Sequence, residues 1–549
     1  MEWRKRQAEW LCSPLLDEEL RLLLGQKDEW EDCFSEDLTF GTGGLRGKLG
    51  PGPNCMNVHT VSRATRGLAA YLNTTLETPS CAIAYDSRVK SERFARLAAA
   101  ELAARGVKVF LYKELMPTPM LSFAVRLLHC SAGIVITASH NPANYNGYKV
   151  YGEDGCQITP EAASAIQAEI AAQTEFAEAA SFEEYIEKGN ICLIGEDVEQ
   201  AYYAALCAQT GQLCSPLYVV YSPLNGTGNK PVRRMLASLG VSVSVVKEQE
   251  QPDGTFPTCP YPNPEVPQAM ELAAQQAARE KSDLFLATDP DCDRVGVGVI
   301  VNGKVRIFNG NEIGVLLLDY ICHRRTEEGT MPKGAVAVKT IVTTEMACVV
   351  AKSYHIEMRE VLTGFKYIGE QIGLLERQGG AERFLFGFEE SCGYLSYTDV
   401  RDKDGVNGAM LVCEMAAWHK AQGRTLAQAW EQLCRTYGYH TSSLLSFAFE
   451  GTKGMQKMKQ IMQRLRTAPP PTLGGRELLR MVDYQTGVNG LPRSDVLALE
   501  LENSRVVVRP SGTEPKLKLY LSTRAADEDN AYRILDALEK ACGQLVEVT

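Results

Sequence analysis

Three aspartates spaced two apart, Asp289, Asp291 and Asp293 in ATDPDCDRVGV, are the strongest chemical feature of the chain. In an extended loop, residues two apart point to the same side, so all three carboxylates can converge. Hard oxygen ligands of this kind suit Mg²⁺, which completes its shell with phosphate oxygens or water. A calcium EF-hand also begins D-x-D-x-D, but here the sixth position is Arg294 and the twelfth is Ile300, where that loop needs Gly and Glu. A solvated acidic turn is the competing reading. The flanking apolar strands and the adjacent Arg294 weigh against it.

The segment GIVITASHNPANYNGYKVYG offers a nucleophile. An apolar strand delivers Ser139 and His140 into a loop rich in Asn and Gly, a common place for catalytic groups. A serine hydrolase would need a separate base, an orienting acid and an oxyanion hole, and no GxSxG elbow is present. His140 adjoins Ser139, where base geometry is awkward. A phosphoryl carrier is the alternative, with phosphoserine oxygens bridged to the aspartates by Mg²⁺. Lys149 and His140 could then stabilise charge or move protons. A plain Ser-Asn turn stays open.

Three further loops carry weaker signals. RPSGTEPKLK holds Arg509, Ser511, Gly512 and Thr513, a fair phosphate cradle or an ordinary polar turn. FGFEESCGY places Glu389, Glu390 and Ser391 after an apolar strand, where they could hold sugar hydroxyls or simply face solvent. FGTGGLRG is a Gly-rich loop with Arg46, and it lacks the GxxxxGK[ST] spacing of a nucleotide P-loop.

Elements able to position these loops recur along the chain. CAIAYDSR reads as a strand, SERFARLAAAELAARG as a helix capped by Ser91 and stopped at Gly106, and VKVFLY as the next strand. The same order returns in LYVVYSPLNGTG, NKPVRRMLASLG and VSVSVVKE, then less cleanly in GAVAVKT, TTEMACVVAKSYH and IEMREVL. Such units imply α/β domains with parallel or mixed sheets and ligand loops at the carboxyl ends of strands. Beyond the loop TAPPPTLGG, the strand-rich tail implies a fourth domain, with a hairpin turning at residues 502–504. The expected division is a helical lead-in over residues 1–36 and domains at 37–192, 193–308, 309–440 and 441–549.

Composition bounds the partners. At 549 residues, several domains are expected. The net charge of −11 without a long basic run argues against nucleic acid, though a local basic pocket for a small anion is compatible with it. Acidic residues interrupt the apolar stretch near the N-terminus, and no segment approaches the roughly 18 to 20 apolar residues of a membrane span. The 17 scattered cysteines read as reduced thiols in a cytosol.

Taken together, the motifs TASHNP, DPDCDR, GFEESCGY and RPSGTEP, in that order, resemble the α-D-phosphohexomutase superfamily of phosphoglucomutases and phosphomannomutases. The resemblance implies four domains around a central cleft, three related mixed-sheet α/β domains and a C-terminal α+β domain. It implies that Ser139 bears the phosphoryl group and binds one Mg²⁺ with the three aspartates. It implies acid–base work for Lys149 and His140, and places Arg46 and Arg294 near the active phosphate. Lys366 of TGFKYIG, Glu389 and Ser391 would contact the sugar, and Arg509, Ser511, Gly512 and Thr513 would hold the phosphate not being transferred. The implied reaction is glucose 1-phosphate to glucose 6-phosphate through glucose 1,6-bisphosphate. The EES sugar loop and YPNPE resemble the larger branch with bacterial α-phosphoglucomutases and phosphopentomutases, so ribose or mannose phosphates remain alternatives. A glucose 1,6-bisphosphate synthase or a non-catalytic sensor would use the same residues differently. Partners are expected to be small sugar phosphates, and the chain a monomer or weak homo-oligomer.

Overall fold

The computed structural model describes residues 2–26, 30–41, 43–449, 451–488, 490–510 and 516–547. Among them, four sheets organise the chain. The first runs in the order Leu45–Lys48, Tyr145–Gly152, Ala132–Ile136, Ser80–Tyr85, Lys108–Tyr112, Ile191–Ile194. The second runs Lys304–Phe308, Val295–Val301, Leu284–Thr288, Tyr218–Ser222, Ser242–Val245. The third runs Gly393–Leu395, Phe384–Glu389, Val336–Thr340, Glu357–Val361.

The three share one plan. A first strand lies centrally, a second and a third join it in parallel on either side, and an antiparallel strand then folds back on the third. The central strands are buried on both faces, as in Ala132–Ile136, Leu284–Thr288 and Val336–Thr340. Helices cover both sides of such sheets, which is why these strands read as unbroken apolar runs.

Local signals fix the helix starts. Asn309 accepts from the Glu312 backbone while the Glu312 side chain accepts from Asn309 N, a capping box opening Gly310–Glu327. Ser91 behaves differently from the expectation. Lys90, with φ 69°, precedes the helix Ser91–Ala103, and the Ser91 hydroxyl instead donates to Asp86 at 2.7 Å.

The fourth sheet is antiparallel throughout, with Tyr439–Ala448, Lys516–Ala525, Ser504–Pro510 and Leu497–Leu501 as neighbours. The helices Gly451–Thr467 and Glu528–Glu547 accompany it, giving the α+β plan. One apolar cluster runs through the first three units, including Met120, Tyr202, Val297, Phe386 and Val406. The fourth has its own core around Ile461, Leu499, Leu519 and Leu538. A small separate cluster, with Ile341, Leu362, Tyr484, Val507 and Tyr520, joins it to the third. The lead-in forms short helices that pack around Trp10 and Phe34. No helix among the described residues is long and apolar enough to cross a membrane.

Candidate active site

Three loops occupy one topological position. In each of the first three sheets, the third parallel strand turns into its antiparallel neighbour, at Ser139, at residues 289–294 and at residues 390–392. Each turn contains a non-glycine residue with left-handed backbone: Ser139 at φ 51°, Cys292 at φ 52° and Cys392 at φ 62°. That conformation costs an L-residue about 1 kcal/mol or more, and such residues gather at functional sites. The carboxyl ends of the strands therefore present Ser139, the aspartates and the Glu389 loop toward each other, as the general rule for α/β sheets expects.

Asp289, Asp291 and Asp293 are buried, and an oxygen of each lies within 4.8 Å of the others. They converge through a turn, not through the extended alternation anticipated. Cys292 N donates to Asp289 O at 2.9 Å, and the left-handed Cys292 swings Asp293 back toward Asp289. Asp289 Oδ1 then accepts from the backbone N–H groups of Asp293 and Arg294 at 3.1 and 3.0 Å. Asp289 Oδ2 accepts from the Ser139 hydroxyl at 2.7 Å.

Cations surround the triad. Lys149 Nζ lies 2.8 Å from Asp291 Oδ2, which also accepts from the Thr118 hydroxyl at 2.9 Å. Lys403 Nζ lies 3.2 Å from Asp293 Oδ2, and Arg294 Nε lies 3.7 Å from Asp293 Oδ1. Burial raises Asp289, and the neighbouring carboxylates raise it further. Burial opposes ionisation of Asp291 too, but Lys149 outweighs it and holds the carboxyl well below the usual range. Asp291 Oδ1 and Asp293 Oδ1 are buried without a hydrogen-bond partner. Two bare carboxylate oxygens beside a third acid suit a hard divalent cation, so the donor set fits the metal the sequence implied.

Ser139 is held by its neighbours. Its N–H donates to Thr137 Oγ1 at 2.8 Å, and its carbonyl accepts from Arg88 Nη2 at 2.5 Å. Arg88 also donates to the carbonyls of Asn141, Pro142 and Tyr145, so one buried guanidinium gathers the whole loop. His140 Nδ1 lies 3.2 Å from Ser139 Oγ, so the adjacent pair does reach hydrogen-bonding distance. Burial, Arg294 and Arg46 push the imidazole well below its ordinary pKa and keep it neutral. Arg46, in the strand Leu45–Lys48, sits opposite Gly147 across the sheet edge.

The other predicted residues stand on the third and fourth units. Glu389 Oε1 accepts from Gly364 N at 2.9 Å, beside the helix Phe365–Arg377 that carries Lys366. Burial raises the Glu389 carboxyl against Lys403 and Arg294, so Glu389 looks back at the metal loop. Burial lowers Lys366, Glu161 and Glu370 oppose that, and Arg509 lowers it further, so the two cations share a neighbourhood. Ser391 lies half-buried in the turn beyond Glu389. Ser511, Gly512 and Thr513 fall outside the described residues.

Sequence reasoning missed Lys403, Arg88, Thr118 and the partner of Arg294, which is Glu265. Lys403 stands in the charged run RDKDG just before the helix Gly405–Ala421, a signal that could have found it. Arg88 ends the strand segment CAIAYDSR, at the carboxyl edge where ligands gather. Thr118 carried no local signal.

The chain matches four family descriptions in order: phosphoglucomutase/phosphomannomutase alpha/beta/alpha domain I over residues 37–177, domain II over 200–301, domain III over 309–437 and the C-terminal domain over 450–541. The chain belongs to the phosphoglucomutase/phosphomannomutase family. It is therefore a phosphosugar mutase, an intramolecular phosphotransferase. A phosphoglucomutase of Staphylococcus aureus (strain bovine RF122 / ET3-1) is 36% identical to the mutase over 528 residues, covering 93% of this chain and 94% of that one. Two solved structures share its fold. A phosphoglucomutase/phosphomannomutase family protein from Burkholderia thailandensis has TM-score 0.69 at 19% identity, covering 92% of this chain and 97% of that one. The open form of parafusin from Paramecium has TM-score 0.68 at 17% identity, covering 93% and 95%.

Proposed function

We propose that the mutase interconverts α-D-glucose 1-phosphate and glucose 6-phosphate through a phosphoserine at Ser139. The observation that carries this reading is the hydrogen bond from Ser139 Oγ to Asp289, which puts a hydroxyl nucleophile of the loop on the aspartate triad. Glucose as the sugar is supported by the Staphylococcus aureus relative that carries the phosphoglucomutase name.

Asp289, Asp291 and Asp293, with an oxygen on Ser139, would hold one Mg²⁺, which supplies Lewis-acid neutralisation of the transferring phosphoryl group. The charges support that assignment. Lys149, Lys403 and Arg294 face the three aspartates, Lys403 also pairing with Asp402 and Arg294 with Glu265. A divalent cation and a phosphoserine of about −1.5 to −2 charge then add as a nearly neutral pair.

In the forward direction the bond from Ser139 Oγ to phosphorus breaks and one from the sugar O6 forms. The proton lost from O6 is the one that Ser139 Oγ regains. Neutral His140, at 3.2 Å from Oγ, moves the proton at that oxygen. Lys149 and Arg294 stabilise charge on the phosphoryl oxygens, and Arg46 lies close enough to His140 to add to the same field. Glu389, Ser391 and Lys366 contact and orient the sugar, while Arg509, with the loop of Ser511, Gly512 and Thr513, holds the other phosphate. Glucose 1,6-bisphosphate then turns end for end, and its O1 phosphoryl returns to Ser139. A cytosolic setting accords with cysteines that are all free thiols.

The test is kcat/KM for glucose 1-phosphate against ribose 1-phosphate and mannose 1-phosphate, each with Mg²⁺ and a trace of its bisphosphate. A preference for glucose of about tenfold or more is the expected result. A stronger turnover of either rival would overturn the sugar assignment.

A further inference from the structure

The seam between the third and fourth units combines a buried apolar cluster with a set of polar contacts. Beside its small apolar cluster lies an open cavity of about 420 Å³, lined by Glu345, Glu360, His440 and Arg505. Polar contacts cross the seam at the edge of this cavity.

Arg505 makes those contacts. It belongs to the strand Ser504–Pro510 of the fourth unit. Its guanidinium donates to Ile341 O at 3.1 Å, Glu345 at 3.2 Å and Glu360 at 3.5 Å, all in the third unit, and to Tyr484 Oη at 3.1 Å. The fully buried Lys339 grips the same two carboxylates, Glu345 at 3.0 Å and Glu360 at 2.8 Å. Two cations and two anions thus form a closed square. Lys339 also donates to the Thr343 carbonyl at 3.2 Å, and the Thr343 hydroxyl donates to Glu390 at 3.2 Å, so the square reaches the sugar loop.

Strand alternation places the partners. Residues 505, 507 and 509 share a face, and Val507 lies in the seam cluster while Val506 and Val508 lie in the core of the fourth unit. Arg509 therefore projects from the seam face about 13 Å along the strand from Arg505. It reaches the neighbourhood of Lys366 and Tyr367. Both glutamates are more than a third exposed, so the square contributes little to stability through Coulomb energy alone. Its effect is directional.

We infer that Arg505 is a positioning residue: by clamping its strand to Glu345 and Glu360, it sets where Arg509 stands and hence how tightly the non-transferring phosphate is held. This rests on the functional reading above. Arg505 itself touches no reacting atom.

The experiment compares wild type, Arg505→Met, Arg505→Lys, Glu360→Gln and the Arg505→Met/Glu360→Gln pair. Steady-state turnover of glucose 1-phosphate is measured together with calorimetric titration by the same compound. Arg505→Met is expected to raise KM and Kd about fivefold to tenfold with kcat changed less than about twofold. Arg505→Lys should restore most of the loss, and the double variant should be no worse than Arg505→Met alone. Unchanged KM and Kd, or equal falls in kcat and kcat/KM, would overturn the inference. Should Arg505→Met fail to fold, Glu360→Gln carries the test, and an unaltered Kd there has the same force. A wild type that binds in an Arg505-sensitive way yet turns nothing over would sink the functional reading alone. An active wild type with Arg505-insensitive binding would sink this inference alone.

Discussion

Ser139 Oγ and Asp289 Oδ2 meet at 2.7 Å although 150 residues separate them in the chain. The contact joins the turn of the first sheet to the turn of the second. Ser139→Ala removes the hydroxyl and leaves a residue of smaller volume, so the fold should persist. Turnover of glucose 1-phosphate is expected to fall at least about a thousandfold, with the melting temperature nearly unchanged. Retained turnover would mean that another group carries the phosphoryl.

Asp291 faces Lys149 and Thr118 with one oxygen and leaves the other bare. Asp291→Asn removes the charge but keeps the shape. The Mg²⁺ concentration for half-maximal activity should rise about tenfold to a hundredfold. An unchanged magnesium titration would place the metal elsewhere.

Gly405 N donates to Cys292 O at 3.0 Å, and a Cβ on Gly405 would stand 2.6 Å from that oxygen. The helix Gly405–Ala421 is thereby pressed against the metal loop, with no flexible side chain in between to give way. Gly405→Ala should cost about 1–3 kcal/mol of stability and weaken the magnesium response in the same protein. A variant with native melting and native magnesium response would contradict this packing.

Glu414 lies far from that chemistry, between Arg324 at 3.4 Å and Gly211 N at 3.0 Å. Burial nevertheless pushes its carboxyl from the ordinary 4.5 up to about 7, more than Arg324 can offset. A carboxyl whose folded pKa is raised stabilises the fold fully below about pH 4.5 and loses that contribution as pH rises through about 7. Glu414→Gln is locked neutral. The variant should therefore gain on wild type between pH 5 and pH 8, by on the order of 2 kcal/mol, read from denaturant melts at each pH. A pH-independent difference would show that Glu414 is ionised throughout.

The site was legible in part because its loops are written locally. Apolar runs mark the strands, and the residues just past them, Ser139, Asp289 and Glu390, carry the functional types. What the sequence concealed depends on tertiary approach. Lys403 reaches Asp293 across 110 positions of chain, and Arg505 meets Glu345 from another unit. The turn at Cys292 was hidden for a different reason. Nothing in a cysteine advertises left-handed backbone, whereas a glycine there would have. Ser91 was misjudged because Asp86 competes for its hydroxyl, a partner no helix-start pattern displays.

The left-handed backbone at Ser139 has a consequence for which amino acids can occupy that position at all. Threonine offers the same hydroxyl and the same phosphate ester, yet its branched Cβ is poorly accommodated at φ 51°. Interchange of the two alcohols, ordinarily among the mildest of replacements, is therefore closed here by conformation and not by reactivity. The backbone has selected serine before any chemistry begins.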